Sequence, residues 1–388
     1  MYRAVFLLGV LIGATVWVQE RGRAQSPAGL SETTRYRVVA EDWWPTSGTA
    51  PVGAYAGASA CRQCHAEKAQ TQITTPMSAA AYHGAVGVRG GKLPPASTRL
   101  GPYFYKVASH ADTSTLTVST GSQSLEAAIK WTFGAGVRGQ TFVLTHKGAL
   151  YDSQVSTFPG LHGGMAITPG HEQKKAGTIE EALGTNLRTE GPRCFGCHTT
   201  ASSTKGEFNP EQAIPGITCE GCHGPGLAHV VAANMSMTSD ARASILNPAR
   251  LSPVESVDFC GACHTTSADV LEFNLFGPNN VRFQPYRLEK SLCWGTQGDR
   301  RLVCLACHDP HQPLVHDPAF YDQRCLSCHS SPTNQPAAAA AGSRETCPRA
   351  TANCVTCHMP KYDVPEMHAK FTDHFIRIVR PGEGYPNR

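Results

Sequence analysis

Seven times the chain repeats the run Cys-x-x-Cys-His, beginning at Cys61, Cys194, Cys219, Cys260, Cys304, Cys325 and Cys354. The second thiols are Cys64, Cys197, Cys222, Cys263, Cys307, Cys328 and Cys357, so the runs take all but two of the 16 cysteines. Thiols three residues apart share one face of a helical turn, and a His directly after them can swing its ring over a flat group held between them. That is the attachment chemistry of c-type haem: two thiols bond the porphyrin and the imidazole takes the iron. With 16 Cys and 17 His in 388 residues, roughly 0.03 such runs arise by chance. Paired zinc knuckles are the competing chemistry, but zinc has no need of a His after every second Cys. The expectation is seven haem c groups with His65, His198, His223, His264, His308, His329 and His358 as proximal ligands.

What each iron can do depends on its other side. Two strong axial ligands leave only electron transfer, whereas an open position admits substrate. Ten histidines remain after the proximal set, more than seven irons need. In Cys-Glu-Gly-Cys-His-Gly-Pro-Gly-Leu-Ala-His and Cys-Leu-Ala-Cys-His-Asp-Pro-His, a turn returns the chain straight after a haem motif, which makes His229 and His311 the foremost distal candidates. His374 in Phe-Thr-Asp-His and His171 in Thr-Pro-Gly-His follow, then His316 and His368. For the first haem, His83 and the thioether of Met77 compete, and Met would raise the potential. His110, His146 and His162 read as structural or surface residues. For each lone His, an imidazole bonded to a propionate or to solvent is the plainer alternative.

The elements around these runs are unevenly spread. Cys61 and Cys194 lie 133 residues apart, while the later runs follow at intervals of 21 to 44. The long gap holds β-type runs at 103–107, 115–118, 129–133, 140–145 and 150–155, separated by Gly and Ser. The predicted fold is a multihaem cytochrome c, mostly short α-helices and loops wrapped around haems, with a small antiparallel β-rich insert between haem 1 and haem 2. The predicted organisation is a signal peptide over 1–24, an N-terminal extension over 25–60, haem 1 with the β insert over 61–190, and a six-haem region over 191–388. On this reading the first haem stands apart from a compact group of six. Ser252-Pro-Val-Glu predicts a capped helix leading into Cys260, and Thr178-Ile-Glu-Glu predicts another leading toward the second haem. Residues 331–343, with five consecutive alanines, read as an exposed connector.

Arg3, the apolar stretch 4–18 and the small residues around Ala24 read as a secretory signal, with an uncleaved anchor as the alternative because Glu20, Arg21 and Arg23 follow. No cysteine precedes Cys61 to take a lipid, and nothing later is apolar for long enough to span a bilayer. The expected location is therefore periplasmic or extracellular. The mature chain offers roughly 50 residues per haem, too few for a conventional core, so porphyrins must supply buried apolar surface. The 37 Gly and 27 Pro suit a loop-rich wrapper. The formal charge of +4 would be outweighed by two propionates on each haem, so nucleic acid is rejected as a partner. The remaining cysteines, Cys293 and Cys347, would form a disulfide in an oxidising compartment, stabilising the fold by about 2–4 kcal/mol, or stay as two buried thiols.

The segments Gly-Ala-Ser-Ala-Cys-Arg-Gln-Cys-His, Cys-Phe-Gly-Cys-His-Thr-Thr, Gly-Ile-Thr-Cys-Glu-Gly-Cys-His-Gly-Pro-Gly-Leu-Ala-His-Val and Cys-Val-Thr-Cys-His-Met-Pro with Phe-Thr-Asp-His carry a resemblance over residues 55–380. They are similar to exported bacterial multihaem cytochromes related to the tetrahaem cytochrome that accepts electrons from hydroxylamine oxidoreductase. The resemblance implies bis-His low-spin haems in close parallel and perpendicular pairs, an electron-transfer role and redox protein partners. It carries a distal role onto His229, and onto His311 and His374 by context. Seven sites and the β insert depart from the tetrahaem pattern. A nitrite- or hydroxylamine-type oxidoreductase is the competing function, but there is no Cys-x-x-Cys-Lys run and no eighth motif. A head-to-tail homopolymer forming a conductive filament is a variant of the carrier reading.

Overall fold

The computed structural model describes residues 50–110, 113–162, 164–204, 207–294, 301–329, 347, 349–380 and 382–386. The signal segment, most of the N-terminal extension and the connector over 331–343 lie outside them.

The expected small insert is in fact a nine-stranded antiparallel sheet nearly closed into a barrel, which overturns the picture of helices and loops with a minor β element. Its strands are β1 (Ala81–His83), β2 (Ala96–Leu100), β3 (Tyr103–His110), β4 (Thr113–Thr120), β5 (Gln123–Phe133), β6 (Gln140–His146), β7 (Ala149–Phe158), β8 (Gly164–Ile167) and β9 (Gly184–Asn186). Pairing runs in order from β2 to β8, and β2 comes round against β8. The two long strands each share one edge between two neighbours. β5 pairs β4 along its first half and β1 along its second, and β7 pairs β9 and then β8.

Period-two alternation explains the interior. Tyr105, Val107, Leu116, Val118, Ala127, Phe142, Leu144 and Val155 pack together almost fully buried, so the barrel is filled with side chains. Each large apolar side chain there contributes about 1.5–3 kcal/mol. Tyr105 donates its hydroxyl to the Ala182 carbonyl, pinning the 176–183 loop across one end.

Sequence alternation alone misses a change of face. A β-bulge between Ile129 and Trp131 inserts one residue into β5. Ile129 stays in the barrel core, whereas Trp131 and Phe133 join a second cluster with Val143, Leu187 and Phe195. A bulge re-aims side chains, and here it turns two aromatics outward toward a haem motif.

Among the described residues, twelve short helices follow or precede the barrel: α1 (Ala58–Cys64), α2 (Ala66–Gln72), α3 (Gly191–His198), α4 (Cys219–His223), α5 (Leu227–Asn234), α6 (Thr238–Ala243), α7 (Pro253–His264), α8 (Ser267–Glu272), α9 (Gln284–Glu289), α10 (Cys304–Cys307), α11 (Pro318–His329) and α12 (Cys354–His358). α7 opens with the expected capping box, Ser252 accepting from the Glu255 N–H and Glu255 reaching back to the Ser252 N–H. The helix expected from Thr178 does not propagate. Its capping bonds form, but only a 3₁₀ turn at Glu181–Leu183 follows. Gly184, at φ 134°, then enters β9 so close to β7 that a Cβ would lie 1.9 Å from the Asp152 carbonyl.

Candidate haem-binding centres

All seven Cys-x-x-Cys runs lie on helices: α1, α3, α4, α7, α10, α11 and α12 in chain order. The helices are packed so that thiols of different motifs meet. Cys61 of the first motif lies beside Cys219 of the third, Cys197 of the second beside Cys263 of the fourth, Cys260 of the fourth beside Cys304 of the fifth, and Cys325 of the sixth beside Cys354 of the seventh. Cys222 of the third motif is within electrostatic reach of Cys260 and Cys263, and Cys307 of the fifth is within reach of Cys325. The second and fourth motifs interlock reciprocally, Cys197 Sγ donating to the Ala262 carbonyl at 3.4 Å and Cys263 Sγ to the Gly196 carbonyl at 4.0 Å. The first motif is therefore not set apart, as its distance in sequence suggested. Gln72 and Met77, just after it, bond Ile217 just before the third motif.

Three proximal histidines face a second imidazole. His65 and His229 have ring centroids 6.4 Å apart, His223 and His311 6.1 Å, and His308 and His374 6.3 Å. An iron–imidazole bond of about 2 Å on each side, plus roughly 1.1 Å from ring nitrogen to ring centre, demands about 6.2 Å. The chain thus holds three imidazole pairs at the separation of two ligands on one iron. Each distal candidate follows a motif and reaches back to the one two earlier: third to first, fifth to third, seventh to fifth.

In six of the motif and candidate histidines Nδ1 is already committed. Nδ1–H donates to a backbone carbonyl in His223 (Leu246), His229 (Ala241), His358 (Arg377), His374 (Thr372) and His198 (Ala80), at 2.7–3.1 Å. In His311 it donates to Asp309. Such a bond fixes the tautomer and leaves the Nε2 lone pair for a metal. Burial lowers the pKa of His198, His223, His264 and His308, and pushes His374 down to about 4, with His308 adding to that shift. Neutral rings are the ligating form. The donor set fits covalently held haem.

Residues 152–224, which contain the second and third motifs, match the family described as cytochrome c554 and c-prime. No curated protein and no solved structure gives a match. The match supports, at a coarse level, a likeness to multihaem c-type cytochromes. No helix among its described residues is long and apolar enough to cross a membrane.

The other ligand candidates lie elsewhere. His171 is almost fully buried, with Nε2 shared between Asp152 at 3.2 Å and Thr185 at 3.1 Å. Asp152 in turn lies within electrostatic reach of Cys194 and His198, so this polar pair borders the second motif. His368 packs edge-on against Phe158 of the barrel, and His316 is exposed. Neither His83 nor Met77 takes the place opposite His65. His83 is exposed with its ring on Trp131, and Met77 serves through its carbonyl, which accepts from Ala80 and Ile217. Opposite His198 the ring contact is with Phe133, 4.7 Å away and nearly parallel. His146 lies edge-on to Tyr151 in the sheet. The expected bridge between Cys293 and Cys347 is not formed. Cys347 Sγ instead accepts the backbone N–H groups of Arg349 and Ala350, and Cys293 lies near Cys307 and Cys325.

Three positioning residues had escaped the motif reading. Glu220, an x residue of the third motif and 1% exposed, accepts the N–H groups of Ala56 (2.8 Å), Gly57 (2.9 Å) and Gly226 (2.7 Å). It thereby ties the residues leading into the helix of the first motif to the third motif. Asp322 does the same between the sixth and seventh motifs, accepting from Asn353 and Cys354. Phe195, an x residue of the second motif, is fully buried against Trp131, Phe133 and Phe208 and docks that motif on the barrel. A Glu, Asp or Phe at an unconstrained motif position carries no sequence signal of such a role.

Proposed function

We propose that all seven motifs carry haem c and that this exported cytochrome is an electron carrier, passing electrons along one branched series of haems to redox partner proteins. Bound haem supplies a one-electron iron couple; the protein supplies spacing, ligands and insulation. The observation that carries the reading is the succession of neighbouring thiols, with the third–fourth and fifth–sixth links the looser ones. They join the motifs in the order first, third, fourth, fifth, sixth, seventh, with the second branching at the fourth. Each thiol would bond the edge of its own porphyrin, so neighbouring thiols would bring two porphyrin edges close together. Paired imidazoles at three motifs support transfer without substrate binding at those irons.

Intact mass and the oxidised-state EPR spectrum of the exported protein test the proposal together. The expected result is the mass of seven haems, with low-spin ferric signals from the first, third and fifth. Fewer haems than motifs, or a high-spin signal assigned to any of those three, would overturn it.

A further inference from the structure

Segment 372–377 follows the seventh motif and touches two haem centres at once. His374 faces His308, and its Nδ1–H donates to the Thr372 carbonyl. Three residues on, the Arg377 carbonyl accepts from His358 Nδ1 while the Arg377 N–H donates to the His358 carbonyl. One short strap therefore presents the distal imidazole of the fifth motif and orients the proximal imidazole of the seventh.

The strap is held from one side by a single residue of α9. Arg287 and Asp373 are both 0% exposed. The guanidinium grips the Asp373 carboxylate with two parallel bonds, Nε to Oδ1 and Nη2 to Oδ2, each 2.8 Å. Its remaining nitrogen, Nη1, donates to the Pro386 carbonyl, and its face lies over Phe375 and Tyr385. Asp373 passes the constraint on, accepting from Arg377 Nη1 and from the Phe375 N–H. Just beyond α9, Ser291 donates to the His374 carbonyl and accepts from the Ile376 N–H. The same helix reaches toward a third centre, since Gln284 lies near His264 of the fourth motif.

A buried ion pair is poor evidence of a contribution to stability, because desolvation offsets the attraction. A planar two-bond fork does something else: it fixes the angle and position of the carboxylate it holds, which a Lys ammonium does not. Asp373 is the immediate neighbour of His374, so fixing the carboxylate fixes where the imidazole points. Nothing in electron transfer by the haems themselves calls for this cation.

We propose that Arg287 is a positioning residue for two haem ligands, holding His374 on the axis of the fifth haem and setting the ring orientation of His358 on the seventh. The inference rests on the proposed carriage of haem at those motifs. Arg287→Met is the principal test, because Asp373 keeps Arg377 as its partner and is not left as a bare buried charge. Haem attachment is independent of the strap, so intact mass should show the same haem load as the unaltered protein. The oxidised EPR and visible spectra should gain a high-spin ferric component equal to one haem, matching that of His374→Ala, and added imidazole should return it to low spin. Arg287→Lys, which keeps the charge but loses the fork, should show a smaller high-spin fraction. An Arg287→Met protein with a full haem load and only low-spin signals overturns the inference even if it melts earlier. Should that variant not accumulate, Arg287→Lys decides alone, and an unchanged spectrum overturns the inference. If the unaltered protein lacks haem at the fifth motif, the proposed function fails instead, which its mass reveals first.

Discussion

Replacing Glu220 by Gln removes a charge and one acceptor at a buried joint between two haem motifs. In the native protein Oε1 accepts from Ala56 and Gly226, and Oε2 accepts from Gly57. Gln keeps one oxygen, which can serve the first two donors. Its NH₂ group then faces the Gly57 N–H, donor against donor. Stranding a buried donor costs about 1–3 kcal/mol, and the two surviving bonds lose their charge assistance. A local destabilisation of about 2–3 kcal/mol follows, which converts to a roughly 30- to 150-fold change in an opening equilibrium. Hydrogen exchange followed by mass spectrometry reads this directly, because the Ala56 and Gly57 amides at the entry to α1 should lose protection by that factor. Amides of the barrel strands β3–β6 should not change, since they share no partner with Glu220. Electron transfer between the first and third haems should slow as α1 loosens from α4. Unaltered protection at residues 56–60, within a factor of three, would refute the claim that the third motif holds the first in place.

Other outcomes follow from the same contacts. Phe195→Ala should cost about 3–5 kcal/mol in denaturant stability by opening a cavity between Trp131, Phe133 and Phe208. It should raise the protease sensitivity of the second motif, and equal stability of variant and parent would remove Phe195 from its docking role. His311→Ala should give a high-spin signal from the third haem and leave the first unchanged; a change at the fifth instead would break the two-motif stagger of the ligands. The backbone N–H groups of Cys354 and Asn353 lower the Asp322 pKa. A depressed carboxyl contributes its stability above its ordinary value of about 4 and loses it as pH falls through the depressed one. Exchange protection of the Cys354 amide should therefore hold at pH 5–7 and drop in stronger acid, whereas Asp322→Asn should show reduced protection with no such pH step.

Much of the local structure was legible because it depends on neighbours in sequence. The capping box at Ser252 needs only residues three apart, and the five β runs announced themselves by alternation. The size of the sheet was not legible. β1 and β9 are three residues each and exist only because long β5 and β7 offer them free lengths of edge. The Thr178 capping signal was real, yet the fit of Gly184 against β7 cut the helix to one turn. That His83 and Met77 do not face His65 has a related reason. Nearness in sequence was taken for nearness in space, while α5 delivers His229 from beyond the third motif.

The cofactor chemistry belongs to the sequence, since thiol spacing and the adjacent His act within one helical turn. Which imidazole faces which, and which porphyrin edges adjoin, belongs to the tertiary structure. Those relations join motifs far apart in the chain, through a bulge that turns Trp131 and Phe133 outward, carboxylates that tie down the entry to another motif's helix, and an arginine that grips a strap. Each is a long-range contact between residue types that are ordinary in their local context, so their meaning appears only when the chain is folded.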